Sequence, residues 1–169
     1  MKIQSHFALG VSFVAFIAFS NYASADVSTV VQAWRTSDGW LTELRQHTDG
    51  AKVCSSGKAF AEPHQFGLSI VESGPITLVT LVDQKQQPTA GGAMKFTADG
   101  RDMGSLATVT DGPAFATSEG ESAMTRQLIS DLPDNAVSID VADRHYQADL
   151  SGLAKAREQL KICKEQTAQ

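Results

Sequence analysis

The first chemistry to consider is that of Cys54 and Cys163, because they are the only cysteines in the chain. Catalytic redox pairs favour a Cys-x-x-Cys spacing at the start of a helix, whereas these two residues lie far apart. In an oxidising compartment such a pair normally joins as a structural disulfide. The sequence therefore predicts one intramolecular bridge that closes a loop of about a hundred residues, for which chain entropy gives on the order of 4 kcal/mol of stabilisation, less any strain.

Nucleophilic and metal chemistry have little support in the sequence. No Gly-x-Ser-x-Gly pentapeptide marks a serine nucleophile, and His47, His64 and His145 are too isolated for a close-spaced zinc motif. A glycosidase would need two carboxylates facing one cleft. Closely spaced acidic pairs occur at Glu119 and Glu121, Asp131 and Asp134, and Asp140 and Asp143. Because exposed carboxylates are ordinary on an acidic surface, the sequence predicts no catalytic residue, no metal site and no cofactor.

A candidate binding surface is predicted from charged and aromatic residues beside two short turns. Arg101 and Asp102 follow one predicted turn, and Arg144, His145 and Tyr146 follow another. Arginine and tyrosine are enriched at binding hot spots, so these five residues are candidates for contact with a partner protein. The alternative is a hairpin in which Tyr146 packs inward and Arg144 is solvated.

Residues 1–25 have the pattern of a secretory signal peptide. Lys2 gives a positive start, residues 7–19 form an uncharged apolar run, and Ala23-Ser24-Ala25 offers small side chains to a signal peptidase. The run is shorter than the ~20 residues that cross a membrane, which makes an uncleaved anchor the weaker alternative. We therefore expect cleavage after Ala25 and a single mainly β domain, residues 26–169, in the periplasm or outside the cell, without a transmembrane segment.

The charge balance argues against a nucleic-acid partner. The chain holds 14 Lys and Arg against 19 Asp and Glu, and loss of Lys2 with the leader would leave 13 against 19, a formal net charge of −6. Nucleic acids and anionic membranes both select clustered Lys and Arg, and the sequence has no such cluster. A protein partner in the cell envelope is the expectation that remains.

Short alternating or β-branched runs, bounded by Gly, Pro, Asp or Asn, predict a mainly β fold over residues 40–150. Predicted hairpins join residues 40–47 to 51–55, 66–71 to 76–82 and 136–141 to 144–150, and further strands occupy residues 93–97 and 105–110. Ser55-Ser56-Gly57 is expected to end a strand, and the apolar run at 76–82 predicts the centre of the sheet. The predicted architecture is a β-sandwich or partly open barrel of about eight or nine strands.

Two segments depart from alternation and predict helices. A short internal amphipathic helix is expected over residues 119–132, where Met124, Leu128 and Leu132 recur at four-residue intervals with Ile129 beside them on the apolar side. A C-terminal helix is expected to begin after Ser151, whose hydroxyl would cap it. Its predicted buried side consists of apolar residues at spacings of three, four and three: Leu153, Ala156, Leu160 and Cys163.

The C-terminal segment resembles the ending of invasion-associated locus B proteins, which are small exported bacterial proteins. A strand leads into Leu150-Ser151-Gly152, similar to a Leu-x-Gly element, and a helix of the Ala-x-x-x-Leu type closes at Cys163. The segment is also similar to the strand, glycine and Cys-ended helix of a small accessory protein of type VI secretion. The resemblance implies a periplasmic or surface-associated β-sandwich-like domain without known catalysis, and it transfers no functional residue.

These observations favour a non-catalytic accessory protein that recognises another envelope or secreted protein. One alternative is an inhibitor or immunity protein that blocks a cell-wall hydrolase or toxin, using the polar loop at residues 84–92 or the region of Arg101. A less favoured alternative is a hydrolase of envelope material, which would require a deep pocket lined by His64 or His145 with two acids.

Overall fold

The computed structural model describes residues 28–61, 65–83, 85, 88–111 and 113–167. The predicted leader at residues 1–25 and His64 lie outside these ranges, and the predicted loop at residues 84–92 is described only in part. Within the described residues the chain is mainly β and its buried side chains form a hydrophobic core.

Ten strands of the described chain form one antiparallel sheet. They are β1 (Thr29–Arg35), β2 (Leu41–Gln46), β3 (Lys52–Phe60), β4 (Phe66–Ser73), β5 (Ile76–Asp83), β6 (Gly92–Ala98), β7 (Arg101–Asp111), β8 (Ala114–Thr117), β9 (Ala136–Val141) and β10 (Arg144–Asp149). Their order across the sheet is β1-β2-β3-β4-β5-β8-β7-β6-β9-β10. The apolar run predicted at the centre is β5, so that prediction is confirmed, whereas β1 and β8 are additional to the predicted strands.

The three predicted hairpins are confirmed, but one predicted strand end is wrong. β3 continues beyond Ser55-Ser56-Gly57, because each of these residues pairs with β2 on one side and β4 on the other. Ser56 is fully buried and accepts a hydrogen bond from the Thr42 hydroxyl at 2.8 Å. Gly57 allows β4 to approach closely, since a Cβ there would lie 3.2 Å from the Cβ of Ser69. Pairing with two neighbours overrides the turn-like composition.

The sheet curls so that β10 lies across the core from β3, β4 and β5. The Tyr146 ring of β10 lies 5.0 Å from the Phe66 ring of β4, centroid to centroid, and the Tyr146 hydroxyl donates to Asp83 at the end of β5. Lys58 of β3 donates to the Asp149 carbonyl at 2.8 Å. The edge strands β1 and β10 do not pair with each other among the described residues. The predicted mainly β fold, of the partly open barrel type, is therefore confirmed.

The two predicted helices are both present. After a 3-10 turn at Glu119–Glu121, α1 (Ser122–Asp131) packs on β5 and β7, and α2 (Leu153–Thr167) packs on β2 and β3. The residues predicted to face the sheet from α2 are all buried: Leu153, Ala156, Leu160 and Cys163. Neither helix of the described chain combines the length and the apolar character that a membrane crossing needs.

The predicted buried face of α1 is wrong at Met124. The Met124 side chain is 53% exposed, whereas Thr125, Leu128 and Ile129 are buried. The helix is rotated so that the 125, 128 and 129 positions, which share one side of an α-helix, contact the core. The interval of four that Met124 shares with Leu128 therefore did not identify the buried side.

The predicted cap of α2 is also wrong. The Ser151 hydroxyl donates to the Asp149 carboxylate at 2.6 Å instead of accepting from the helix. The N–H of Ala154 in the first turn is satisfied by Asp134, whose Oδ1 accepts it at 3.1 Å. A carboxylate from the segment between α1 and β9 thus satisfies a helix donor that local sequence assigned to Ser151.

The predicted disulfide is confirmed. Cys54 of β3 and Cys163 of α2 are bonded, their Cα atoms lie 6.0 Å apart, and both side chains are fully buried. The bond holds the C-terminal helix against the half of the sheet that contains β2 and β3. It closes a long loop, so its main effect is to restrict the unfolded chain.

Candidate functional site

Strand alternation separates the residues predicted to form a contact surface. In β10, Arg144 and Tyr146 point towards the core, while His145 between them points outward and is exposed. Arg101 and Asp102 begin β7 and are both exposed. Because successive side chains of a strand point to opposite faces, the Arg144-His145-Tyr146 run does not form one patch. Tyr146 packs inward, as the alternative hairpin interpretation predicted. That interpretation is wrong for Arg144, which is not solvated but largely buried, with 15% of its side chain exposed.

Arg144 and Tyr146 form a buried polar cluster with Asp83. The Tyr146 hydroxyl donates to Asp83 Oδ2 at 3.0 Å, and Arg144 Nη1 lies 3.7 Å from the same oxygen. The Arg144 guanidinium also lies 5.4 Å from the centre of the Phe115 ring, within cation–π range. Burial raises the pKa of the Tyr146 hydroxyl above its ordinary value, opposed by the hydrogen bond with Arg144 and assisted by the Asp83 carboxylate. This cluster fastens β10 to β5 and β8.

His145 and Asp102 share the outer face of the sheet with Lys95 and Asp140. His145 Nδ1 lies 2.6 Å from Asp140 Oδ1, and Lys95 forms an ion pair with Asp102 at 3.0 Å. Lys95 is directly opposite Asp140 in the β6–β9 pair, so these side chains form an exposed band of alternating charge, here called the outer charged band. The hydrogen bond from Lys95, with that from the Gly104 N–H, holds the pKa of Asp102 below its ordinary range. All four side chains of the band are well exposed to solvent.

A groove with a cavity volume of about 620 Å³ lies between the two helices. It lies over β4, because α1 packs mainly on β5 and β7 and α2 packs mainly on β2 and β3, on either side of that strand. Ile70 and Glu72 of β4 line its floor, together with Ile129 from α1 and Leu160 from α2. A concave site of this volume is in the range of ligand-binding clefts. We call it the interhelical groove.

The walls of the interhelical groove are rich in basic side chains. Its cationic residues are Arg126, Arg157, Lys161 and Lys164, and its acidic residues are Glu72 and Glu165. Arg126 donates to the Pro75 carbonyl at 2.7 Å, and Arg157 donates to three carbonyls at the end of α1 at 2.6, 2.9 and 3.3 Å. Lys164 pairs with Glu72 at 3.2 Å. Lys161 is exposed and has no hydrogen-bond or ion-pair partner among the described residues.

β1 is a second candidate for contact, because it is an edge strand exposed on both faces. Of its seven residues only Trp34 is half-buried, and the other six are exposed. β1 pairs with β2 on one side, and no described strand pairs with its other side. Val30 and Val31 are 41% and 54% exposed, and Val31 lies at a bulge in the β1–β2 pairing. The strand carries no charged residue before Arg35.

At least one acid of each closely spaced pair in the sequence has a structural partner. Glu121 accepts the N–H of Ala107 at 2.6 Å, Asp134 accepts that of Ala154, and Asp140 belongs to the outer charged band. Across the described ranges, no group of three or more His, Cys, Asp or Glu side chains is arranged to hold a metal ion.

Both the groove and β1 have signals in the sequence that the predictions above do not use. Arg157, Lys161 and Lys164 recur at helical spacing beside the buried Leu160, which indicates a cationic helix face. Residues 29–34 contain β-branched and aromatic side chains typical of a strand. The sequence alone does not indicate that α1 supplies the second wall of the groove or that β1 has no neighbour on its outer side.

A comparison of the chain with protein-family models, curated proteins and solved structures finds no significant match in any of the three.

Proposed function

We propose that this chain is an exported, non-catalytic accessory protein of the cell envelope, periplasmic or secreted, that recognises another protein through β1. The signal-peptide pattern of residues 1–25 supports export, and so does the Cys54–Cys163 bond, because such bonds persist in oxidising compartments. The observation that carries the binding role is that β1 combines an open edge with exposed residues on both faces.

An open edge strand presents a row of unpaired N–H and C=O groups, and partner proteins use such edges by adding a strand of their own. Edges that must stay unpaired are usually protected by charged residues, by proline or by a covering segment. β1 has a bulge at Val31 and a charge at Arg35, but Val30 and Val31 leave apolar area beside the open backbone. Half-buried Trp34 holds the end of the strand against the core. β1 is thus preformed for a partner strand.

A photo-crosslinking amino acid placed at Val31 in the native host tests this proposal. We expect a discrete adduct with an envelope protein, identified by mass spectrometry, because the side chain borders the open edge. Val109 is the matched control, since it is 55% exposed against 54% for Val31 but lies on β7, which pairs with both β6 and β8. Cross-linker at Val109 is expected to give no such adduct.

A charge at the edge provides the second arm of the experiment. With the cross-linker at Val30, the substitution Val31→Lys is expected to abolish the adduct, because a lysine on an edge strand opposes strand addition. Val109→Lys should leave the adduct unchanged. Absence of any adduct at Val31, or the same proteins captured from Val31 and Val109, would contradict the proposed role of β1.

A further inference from the structure

We propose that the interhelical groove is a second binding site, and that its ligand is an extended acidic peptide segment of another protein. This inference goes beyond the proposed function, because it rests on the helices and not on β1, and it holds whether or not β1 accepts a strand.

The interhelical groove carries a net positive charge, whereas the chain as a whole is negatively charged. The chain as a whole has a formal net charge of −5, whereas the groove is lined by four cationic and two acidic side chains. One of the acids, Glu72, is already paired with Lys164 at 3.2 Å. Concave walls concentrate the field of the charges that line them. The excess positive charge therefore selects an anionic ligand.

The two arginines of the groove are held in place by hydrogen bonds that leave some of their N–H donors without a partner among the described residues. The hydrogen bonds that Arg126 makes to Pro75 and Thr77, and those that Arg157 makes to the end of α1, all come from Nη1. A guanidinium carries five N–H donors, so Nη2 and Nε of both residues keep donors for a ligand. Because the fold already fixes both side chains, binding of a carboxylate to them would cost little additional side-chain entropy.

The distribution of the cations favours a chain of separated carboxylates over a single anionic headgroup. Arg126 stands on the α1 wall, and Arg157, Lys161 and Lys164 follow one another along the α2 wall. Four residues of helix advance about 6 Å, which is the step from Arg157 to Lys161. Alternate residues of an extended peptide lie about 7 Å apart on one side. Alternate acidic residues of such a peptide therefore match the spacing of the cations.

The apolar floor argues against a lipid ligand. Ile70, Ile129 and Leu160 are 3%, 6% and 4% exposed, so little apolar surface is open to bury an acyl chain. A fatty-acid site would need a deep apolar cavity with charge at its mouth. In the interhelical groove the charge instead lies along the walls, and the floor offers a small contact for the methyl group of an alanine-sized side chain.

Binding of a labelled octapeptide of alternating Glu and Ala to the full exported chain, disulfide intact, tests the inference by fluorescence anisotropy. We expect saturable binding that weakens as salt rises, because the contacts are between exposed charges. Lys161→Glu is expected to weaken binding by about fivefold, the upper end of what one exposed ion pair contributes. Lys155→Glu is the matched control: Lys155 is exposed on the same helix but does not line the groove, so affinity should be unchanged.

Three outcomes would overturn the inference. The first is no saturable binding of the acidic peptide at low salt, and the second is equal loss of affinity in Lys161→Glu and Lys155→Glu, which would indicate non-specific attraction. The third is displacement of the peptide by dodecanoate at lower concentration than by unlabelled peptide, which would indicate a lipid site. Thermal unfolding of both variants checks that they fold, and Lys161→Gln should give a smaller loss in the same direction. The cross-linking result at Val31 bears on β1 alone, so the two proposals fail separately.

Discussion

β1 and β10 are the two edge strands of one sheet, but only β10 is built into the core. Tyr146 and Ala148 of β10 are 2% and 1% exposed, because the sheet curls and places β4 and β5 opposite them. β1 has exposed residues on both faces along most of its length. An edge strand therefore joins the core only where another part of the sheet lies across from it. The strand without an opposing layer contributes little burial and leaves both of its faces exposed.

The largest expected effect on the free energy of unfolding comes from the disulfide, which lies in the half of the sheet that carries β1. α2 covers β2 and β3 there and is held by the Cys54–Cys163 bond. Replacing both cysteines by alanine should lower the free energy of unfolding by about 4 kcal/mol, because the unfolded chain regains the entropy of a long loop. Urea denaturation with and without reductant measures the change. An unchanged midpoint would show that packing alone holds this half.

A smaller effect is expected where β10 is fastened to the core. Tyr146→Phe removes the hydroxyl that donates to Asp83 at 3.0 Å, and loss of a hydrogen bond to a buried carboxylate costs about 2 kcal/mol. Gln32→Ala in β1 is the comparison, because an exposed position should change stability by less than about 0.5 kcal/mol. Equal effects in urea denaturation would mean that the two edges do not differ in their contribution to the fold.

The same tyrosine predicts a difference at alkaline pH. Burial raises the pKa of Tyr146 above 10.0, so the native chain keeps this proton at a pH where the unfolded chain has lost it. The stability that the protonated hydroxyl contributes is present below about pH 10 and is lost as the pH rises through the higher native pKa. Above pH 10 the unmodified chain should lose stability more steeply than Tyr146→Phe. Parallel stability curves would contradict this assignment.

The smallest effect on stability is expected at the open edge. Val31→Lys should change the free energy of unfolding by less than about 0.5 kcal/mol, because the side chain is 54% exposed at a bulge. The same substitution should remove the adduct from a cross-linker at Val30. A large loss of stability measured by urea denaturation would mean that β1 is part of the cooperative core, and the comparison with β10 would fail.

The elements that local sequence predicts well are those whose pattern repeats within a few residues. The hairpin turns, the central position of β5 and the sheet-facing side of α2 all follow from periodicity and turn residues. The sequence-based predictions were wrong where a residue distant in sequence determines the local structure. Ser56 is polar and typical of turns, but it is buried in β3 between two strands. Ser151 does not cap α2 as predicted, because Asp134 accepts the hydrogen bond from the first turn of that helix.

The sequence by itself determined a mainly β chain with a short internal helix and a C-terminal helix, because period and turn residues are local properties of the chain. It also determined the one disulfide, because two cysteines allow only one intramolecular pairing. Only the tertiary structure decided that Arg144 and Tyr146 turn inward to Asp83 while His145 joins the outer charged band. It also decided that α1 and α2 pack on either side of β4, so that Ile70 and Glu72 of β4 line a cationic groove between the helices. These features join residues that are distant in sequence, and they depend on how far the sheet curls and where each helix packs.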